Sequence, residues 1–466
     1  MTVINKTINS TSIAALATPP GKGGVSIIRI SGILCEKISK KILKTSLSPR
    51  EATYLPFYNH NNQIVDKGIA ILFKAPNSFT GEDVLELQGH GGAVIMDMLL
   101  ESVITCGAEL AKPGEFSERA FHNNKLDLAQ AEAIADLIES GTKEAALSAV
   151  RSLNGEFSKL VHELVEQVTY LRIYVEAAID FPEEEIDFLK DIKIKEMSDN
   201  LTVSMSHLLA KAKQGSLLRE GIKVVIAGKP NAGKSSLLNA LAGKDAAIVT
   251  DVEGTTRDVL SEQINLDGLP LHIVDTAGLR KAKDKVEKIG IEKAILQIEQ
   301  ANLVLWVVDY NDEHSGSGYT KIEELFKEFT KKEIKIPPTL KLRNKVDLIN
   351  LVTKQTENKT KNEQLVLNIS AKEGTGIYEL KKQLKDLVGY KTSESGVFMA
   401  RRRHLTALTK AEDHIEAGLY QLKEFSAGEL LAEELKLAQE SLNEITGEFT
   451  PDDLLGRIFT SFCIGK

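Results

Sequence analysis

Tryptophan occurs once in 466 residues, cysteine three times, and aromatic residues make up only 5% of the chain, so its cores must be built mainly from aliphatic side chains. No apolar run reaches the roughly 18 residues that a membrane-crossing helix needs, and no membrane association is expected. Cys35, Cys106 and Cys463 have neither metal-ligand nor disulfide spacing, which excludes a disulfide scaffold and a zinc module and fits a reducing, cytoplasmic setting. Met1 to Thr11 lack the basic and apolar regions of a signal peptide. Positive charge is in short supply too: 58 Lys and Arg against 66 Asp and Glu leave a net charge of −8. A general nucleic-acid-binding surface is thereby excluded, since such binding rests on neutralising phosphates, and any RNA contact must be local or shared with a partner. The one dense basic cluster, Arg401-Arg402-Arg403-His404, reads as a solvated helix start or as an RNA or partner contact.

What is present has the balance of a soluble globular protein, 42% hydrophobic and 27% charged, and the length predicts roughly three domains. The chain is organised around Gly228-Lys229-Pro230-Asn231-Ala232-Gly233-Lys234-Ser235-Ser236, which has the spacing of a phosphate-binding loop. The run Val224-Val225-Ile226 before it predicts a buried strand, and Ser236 to Leu241 predicts a helix start. Backbone N–H groups and a helix N-terminus then face a bound phosphate, Lys234 reaches the terminal phosphates, and the Ser235 hydroxyl ligates magnesium.

Before that loop, residues 1–122 carry strand-like runs at Ser26–Ile30, Ile69–Phe73 and Val84–Gln88, and a helical pattern from Val94 through Ile95, Met98, Leu99 and Val103, which predicts an α+β domain. Glu86 falls on the face opposite Leu85 and Leu87, as an exposed strand residue beside the Gly-rich turn Gly89-His90-Gly91-Gly92, where a ligand can approach the backbone. Residues 123–218 turn helical: Leu126, Leu128, Ala131, Ile134, Leu137 and Ile138, then Phe157 through Val175, recur at helical spacing. An acidic run, Glu183-Glu184-Glu185 and Asp187, reads as a solvated loop. Helical spacing resumes in residues 389–466, ending in a helix with Thr450 as N-cap, Pro451 at its first position and an apolar face of Leu454, Leu455, Ile458, Phe459 and Phe462. The expected fold is thus multidomain: an α+β N-terminal domain, a discontinuous all-α helical domain in two parts, and an α/β P-loop domain, residues 219–388, inserted between them.

Downstream of the loop the motifs stand in the order a GTPase needs. Ile273-Val274-Asp275-Thr276-Ala277-Gly278 is a strand ending in a carboxylate for magnesium-bound water and a glycine N–H for the γ-phosphate. In Asn344-Lys345-Val346-Asp347 the Asp347 carboxylate suits guanine's ring N–H and amino group, and Ser370-Ala371-Lys372 closes the base pocket. In the Gly254-Thr255-Thr256-Arg257-Asp258 segment, Thr256 is the natural second hydroxyl for magnesium; without the neighbouring motifs a polar loop capping a helix would be the preferred reading. Leu279 stands where Ras-like enzymes place a water-orienting glutamine, so that role and the arginine finger's need other occupants. Asn231 can help hold a monovalent cation in place of the finger's charge.

These residues, together with Ala17-Thr18-Pro19-Pro20-Gly21-Lys22-Gly23-Gly24-Val25, Phe79-Thr80-Gly81-Glu82-Asp83, Pro113-Gly114-Glu115-Phe116-Ser117, Asp180-Phe181-Pro182-Glu183-Glu184 and the terminal Cys463-Ile464-Gly465-Lys466, make the chain resemble the MnmE (TrmE) family of tRNA-modifying GTPases over essentially its whole length. The resemblance implies a folate-binding N-terminal domain, a homodimer, and Ras-like G domains that meet and hydrolyse GTP when potassium is bound. It implies work with the FAD-containing partner MnmG, in a heterotetramer or larger complex, to place an aminomethyl-type group on carbon five of the wobble uridine of certain tRNAs, with a one-carbon unit from a formyl- or methylene-tetrahydrofolate. By the same resemblance Thr250-Asp251-Val252-Glu253-Gly254 joins the GTP-contacting residues, potassium falls to Asn231, Thr250, Val252 and Thr255, and magnesium to Ser235 and Thr256. Water orientation falls to Glu287, and folate contacts to Arg29, Glu86, Lys125 and Lys466. Cys463 is either a small buried hydrophobe or a participant in the modification chemistry. Two other classes stay open on the sequence: an RNA-binding switch protein of ribosome assembly, and a folate enzyme with a regulatory G domain. Lys281-Ala282-Lys283 is more basic than the family pattern, and Lys22 stands where arginine is common.

Overall fold

The computed structural model describes residues 11–180, 192–242, 261–275, 296–314, 322–327, 336–349, 366–391, 396–448, 452–460, 462 and 465. The chain divides into two compact units. One comprises Met1–Ile138, Ser152–Ser206 and Thr406–Lys466, the other Glu139–Arg151 and His207–Leu405.

The first unit holds a six-stranded sheet in the order β3-β4-β5-β2-β1-β6, from β1 (Ile13–Leu16), β2 (Gly23–Ser31), β3 (Thr53–Tyr58), β4 (Ile64–Phe73), β5 (Val84–Gly91) and β6 (Glu109–Leu110). Alternation decides its two faces. Ile28, Ile30, Ala70, Leu72, Leu85 and Leu87 point to one side, where Ile38 and Ile42 of the helix Cys35–Leu43 and Met96, Leu99 and Val103 of the helix Ala93–Thr105 complete a core. Truncating Leu99 to Ala there would cost about 2–5 kcal/mol. Val94 and Met98, expected on that helix's buried face, are exposed instead, because the stripe through Met96, Leu99 and Val103 turns inward. Burial pushes the Cys35 thiol up to about 12, and its Sγ donates to the Asp83 carbonyl at 3.1 Å. The sheet's opposite face carries Arg29 and Ser31 on β2 and Glu86 on β5.

In the helical part of this unit, Glu156–Asp180 packs along Gly428–Thr446, with Val161, Leu164, Val168, Leu171 and Val175 on one side and Leu431, Leu435, Leu442 and Ile445 on the other. The predicted terminal helix spans Asp452–Thr460, and Leu455, Ile458, Phe459 and Phe462 cluster with Leu128 and Ala131. Thr450 and Pro451, its expected cap, and the acidic run Glu183 to Asp187 lie outside the described residues. Gly447 ends the preceding helix with φ 88°, and a Cβ there would sit 2.9 Å from the Phe121 ring, so both conformation and space call for glycine.

The second unit is built on a sheet ordered β12-β11-β10-β7-β9-β8, from β7 (Ile222–Ala227), β8 (Ser261–Leu266), β9 (Leu269–Asp275), β10 (Leu303–Asp309), β11 (Thr339–Asn344) and β12 (Val366–Asn368). All neighbours are parallel except the β8·β9 hairpin. Val224–Ala227 of β7 and Leu303–Val308 of β10 are continuous apolar runs because central strands of a parallel sheet are covered on both faces. The β8·β9 turn, Asp267-Gly268, has φ 49° and 98°, the pair of positive values that a tight type I′ hairpin needs. From β7 the chain proceeds to β8 and β9 on one side, then crosses to β10, β11 and β12 on the other. The carboxyl end of β7 is therefore a switch point, where open α/β sheets form their ligand crevice.

Candidate nucleotide site

At that switch point the loop Gly228–Gly233 joins β7 to the helix Lys234–Ala242. Asn231 (φ 64°) and Gly233 (φ 95°) lie in the left-handed region and fold the loop so that the helix N-terminus closes it. A Cβ on Gly228 would run into the Val307 carbonyl, and one on Gly233 into the Asn344 side-chain amide, so neither position has room for a side chain. The Lys234 ammonium donates to the Gly228 and Lys229 carbonyls, each at 2.9 Å, which anchors it over the loop. Asn231, Ser235 and Ser236 are exposed around this cradle, while Ala232 is buried beneath it. An array of backbone N–H groups, a lysine and a helix end suits the phosphate chain of a nucleotide.

The second half of the site comes from the ends of β10, β11 and β12. Asn344 is buried and works as a brace: its amide donates to the Ala232 carbonyl at 2.8 Å, and its Oδ1 accepts from the Ala371 N–H at 3.0 Å. One side chain thus ties the phosphate loop to the Ser370-Ala371-Lys372 segment. Ser370 donates to Asp347 Oδ1 at 2.6 Å and accepts from the Glu373 N–H at 3.2 Å, so the Asp347 carboxylate is held in place. Lys345, with φ 67°, forms an ion pair with Asp309 at 2.8 Å. Asp309 is a site residue that motif reading missed; its signal is an acid closing the apolar run Leu303–Val308 at the carboxyl end of a central strand. Lys372 is exposed beside Ala371, and Asp275 closes β9 next to β7. Thr250, Asp251, Val252, Glu253, Gly254, Thr255, Thr256, Thr276, Ala277, Gly278, Leu279 and Glu287 lie outside the described residues.

A second cluster occupies the polar face of the first unit's sheet. Arg29 and Glu86 are direct partners in the antiparallel register of β2 and β5, and Arg29 Nε meets Glu86 Oε1 at 3.0 Å. Glu86, expected to be exposed, is half-buried, because the guanidinium and its surroundings cover it. The Arg29 guanidinium lies 5.8 Å from the Phe79 ring centre and 5.9 Å from that of Phe116, within cation–π range. It also donates to the Gly465 carbonyl at 3.4 Å, which places Gly465 at this face. A Cβ on Gly465 (φ 93°) would run into the Leu16 carbonyl, so residue 465 lies against β1 only as glycine. Lys125 donates to the Pro76 carbonyl at 3.1 Å, at the start of the segment that carries Phe79. Cys463 and Lys466 lie outside the described residues.

Among the described residues no group of three or more His, Cys, Asp or Glu side chains is arranged to hold a metal ion, and no helix is long and apolar enough to cross a membrane. The basic cluster divides: His404 is buried and accepts from the Arg401 N–H at 3.0 Å, while Arg402 is exposed and pairs with Glu220 at 3.7 Å.

Residues 12–125 match the family model described as GTP-binding protein TrmE N-terminus, and residues 128–463 match the MnmE helical domain. A tRNA modification GTPase MnmE of Histophilus somni is 56% identical over 459 residues, 98% of this chain and 99% of its own. That of Proteus mirabilis is 56% identical over 456 residues, with 98% and 99% covered. Among solved structures, Era of Aquifex aeolicus bound to GDP and aluminium fluoride is 25% identical and covers 41% of this chain and 66% of that one, at a TM-score of 0.27. At that score the likeness carries no argument. The phosphate loop and its bracing asparagine, joined to identity of this extent over the full length, lead to one conclusion: the chain is a GTP hydrolase and belongs to the MnmE family of tRNA modification GTPases.

Proposed function

We propose that this GTP hydrolase acts with the FAD-containing partner MnmG to install an aminomethyl or carboxymethylaminomethyl group on carbon five of the wobble uridine of certain tRNAs. The one-carbon unit comes from a formyl- or methylene-tetrahydrofolate, bound on the polar sheet face of the N-terminal domain. The observation that carries this reading is the Arg29–Glu86 pair with the Gly465 carbonyl beside it. A carboxylate fits the amide edge of a pterin, cationic groups fit the carboxylates of a folate tail, and the two rings beside Arg29 add flat apolar surface.

For the nucleotide, Asn231, Ala232, Gly233, Lys234, Ser235 and Ser236 hold the phosphates, with Thr276, Ala277 and Gly278 on the γ-phosphate side. Asn344, Lys345, Asp347, Ser370, Ala371 and Lys372 hold guanine. Ser235, exposed on the first turn of its helix, suits magnesium together with Thr256, and Asn231, exposed in the loop, suits potassium together with Thr250, Val252 and Thr255. When bound, the two cations supply positive charge against the negative charge that develops on the phosphates. Glu287 orients the attacking water. The chain works as a homodimer whose G domains meet during hydrolysis, in a complex with MnmG, in the cytoplasm. Its domains are read as 1–122, 123–218, 219–388 and 389–466, with the G domain inserted in the helical one.

The deciding experiment is modification of tRNA in vitro with purified partner, GTP, folate and potassium, read by mass spectrometry of nucleosides. Unmodified wobble uridines in the complete mixture would sink the proposal. Hydrolysis at equal rates in potassium and sodium would remove the cation role given to Asn231.

A further inference from the structure

Two segments that mark the sequence, Phe79-Thr80-Gly81-Glu82-Asp83 and Pro113-Gly114-Glu115-Phe116-Ser117, belong to none of the GTPase motifs. In the fold they meet at Arg119. This guanidinium is 1% exposed, yet it faces two carboxylates, Glu82 from the first segment at 3.2 Å and Glu115 from the second at 2.9 Å. Thr11 adds its carbonyl at 2.9 Å and its hydroxyl at 3.1 Å. From Glu82 the network continues inward. Ser31 donates to Glu82 Oε2 at 2.7 Å and shares a 2.7 Å hydrogen bond with the Thr80 hydroxyl, which accepts from the Glu82 N–H at 3.2 Å. Asn123 donates to the Thr80 carbonyl at 2.7 Å. Ser31 and Thr80 are wholly buried.

As a device for stability alone this is a poor choice, because desolvating three charges offsets most of their mutual attraction, and apolar packing of the same volume does as well or better. Its geometric consequence is more specific. Ser31 lies two residues beyond Arg29 on the same face of β2. Glu82 is three residues past Phe79, and Glu115 is next to Phe116. The network therefore ties the strand that bears Arg29 to the two segments whose rings lie against its guanidinium.

We infer that Arg119, Glu82 and Thr80 are positioning residues for the folate pocket, holding Phe79 and Phe116 against Arg29 so that the Arg29–Glu86 pair presents one fixed geometry. This rests on the folate reading of Arg29 and Glu86. Without Arg119, two inward-facing carboxylates repel each other, and the Phe79 segment moves off Arg29.

The test is calorimetric titration of the full chain with 5-formyltetrahydrofolate. Arg119→Lys should weaken binding, since a point charge cannot replace a fork that serves two carboxylates and Thr11. Thr80→Val is the gentler variant, which keeps volume and removes only the hydroxyl link. It should loosen Kd roughly tenfold, the effect of removing the hydroxyl that joins Ser31 to the Glu82 N–H in the pocket's support. In a Phe79→Ala background the same Thr80→Val change should alter Kd less than about twofold, because its effect runs through that ring. Equal losses in both backgrounds, or a Thr80→Val Kd within twofold of wild type, would overturn the inference. Wild-type protein that binds no folate, or an Arg29→Ala variant that binds as wild type does, would instead remove the folate reading and the inference with it.

Discussion

The two polar sites of this chain are built on opposite plans. The phosphate cradle is a contiguous stretch, Gly228–Ser236, shaped by its backbone: neighbouring atoms leave no room for a Cβ at Gly228 or Gly233, and Lys234 is anchored to two loop carbonyls. The Arg29–Glu86 cluster is made of side chains from β2, β5, a loop and a short helix with the backbone carbonyl of Gly465, brought together by strand register and by the placing of Gly465. Backbone sites tolerate little substitution at their glycines, and their effects are large. Side-chain sites distribute their energy, so single losses are milder and their supports matter as much as their contacts.

The sharpest way to break that contrast is Lys234→Ala. It should lower GTP hydrolysis by about a hundredfold or more, the range for removing one charged phosphate-stabilising group. A loss below tenfold would mean that backbone alone carries the cradle. Next is Asn344→Ala, which cuts the brace between Ala232 and Ala371 and leaves the buried Ala371 N–H unpaired. A loss of about 1–3 kcal/mol in nucleotide affinity is expected, measured by titration with GDP. Gly465→Ala should dislodge the tail from β1 and weaken 5-formyltetrahydrofolate binding severalfold while GDP affinity stays unchanged; equal affinity for folate would separate the tail from that face.

Smaller effects probe the sheet beneath. The Asp66 carboxyl is pushed up by burial, but hydrogen bonds from the His90 backbone and ring and the Lys67 N–H outweigh this and hold it below the usual range. A depressed carboxylate contributes stability above its unfolded pKa of about 3.9, and that contribution is lost as pH falls through the folded value. Asp66→Asn should therefore flatten the decline of the urea midpoint between about pH 5 and pH 3. Least of all, Cys35, with its thiol at about 12, should resist a thiol-reactive dye at pH 8 in the folded protein, whereas half-buried Cys106 reacts. Rapid labelling of Cys35 would reveal opening of the core under β2.

Much of the G domain was legible because its motifs have fixed spacing: the loop glycines, Lys234, Asn344 and Asp347 stand where the GTPase pattern puts them. What escaped was context. The helix Lys143–Leu153, β3 and the helix Cys35–Leu43 carry no motif, and the Asp267-Gly268 turn, a hairpin signal, belongs to none of the GTPase motifs. Val94 and Met98 face outward on a helix whose apolar composition on nearly every side hides which stripe turns inward.

By itself the sequence determined the phosphate loop, the order of the GTPase motifs and the alternation that turns Glu86 away from Leu85 and Leu87, since each is written in local spacing along the chain. Only the tertiary structure decided that Asn344 reaches the loop 112 residues away, that Arg29 meets a carbonyl 436 residues away, and that Arg119 is buried between two acids. Those contacts depend on strand order and chain crossing, in which distant segments become neighbours without leaving a periodic trace in the sequence.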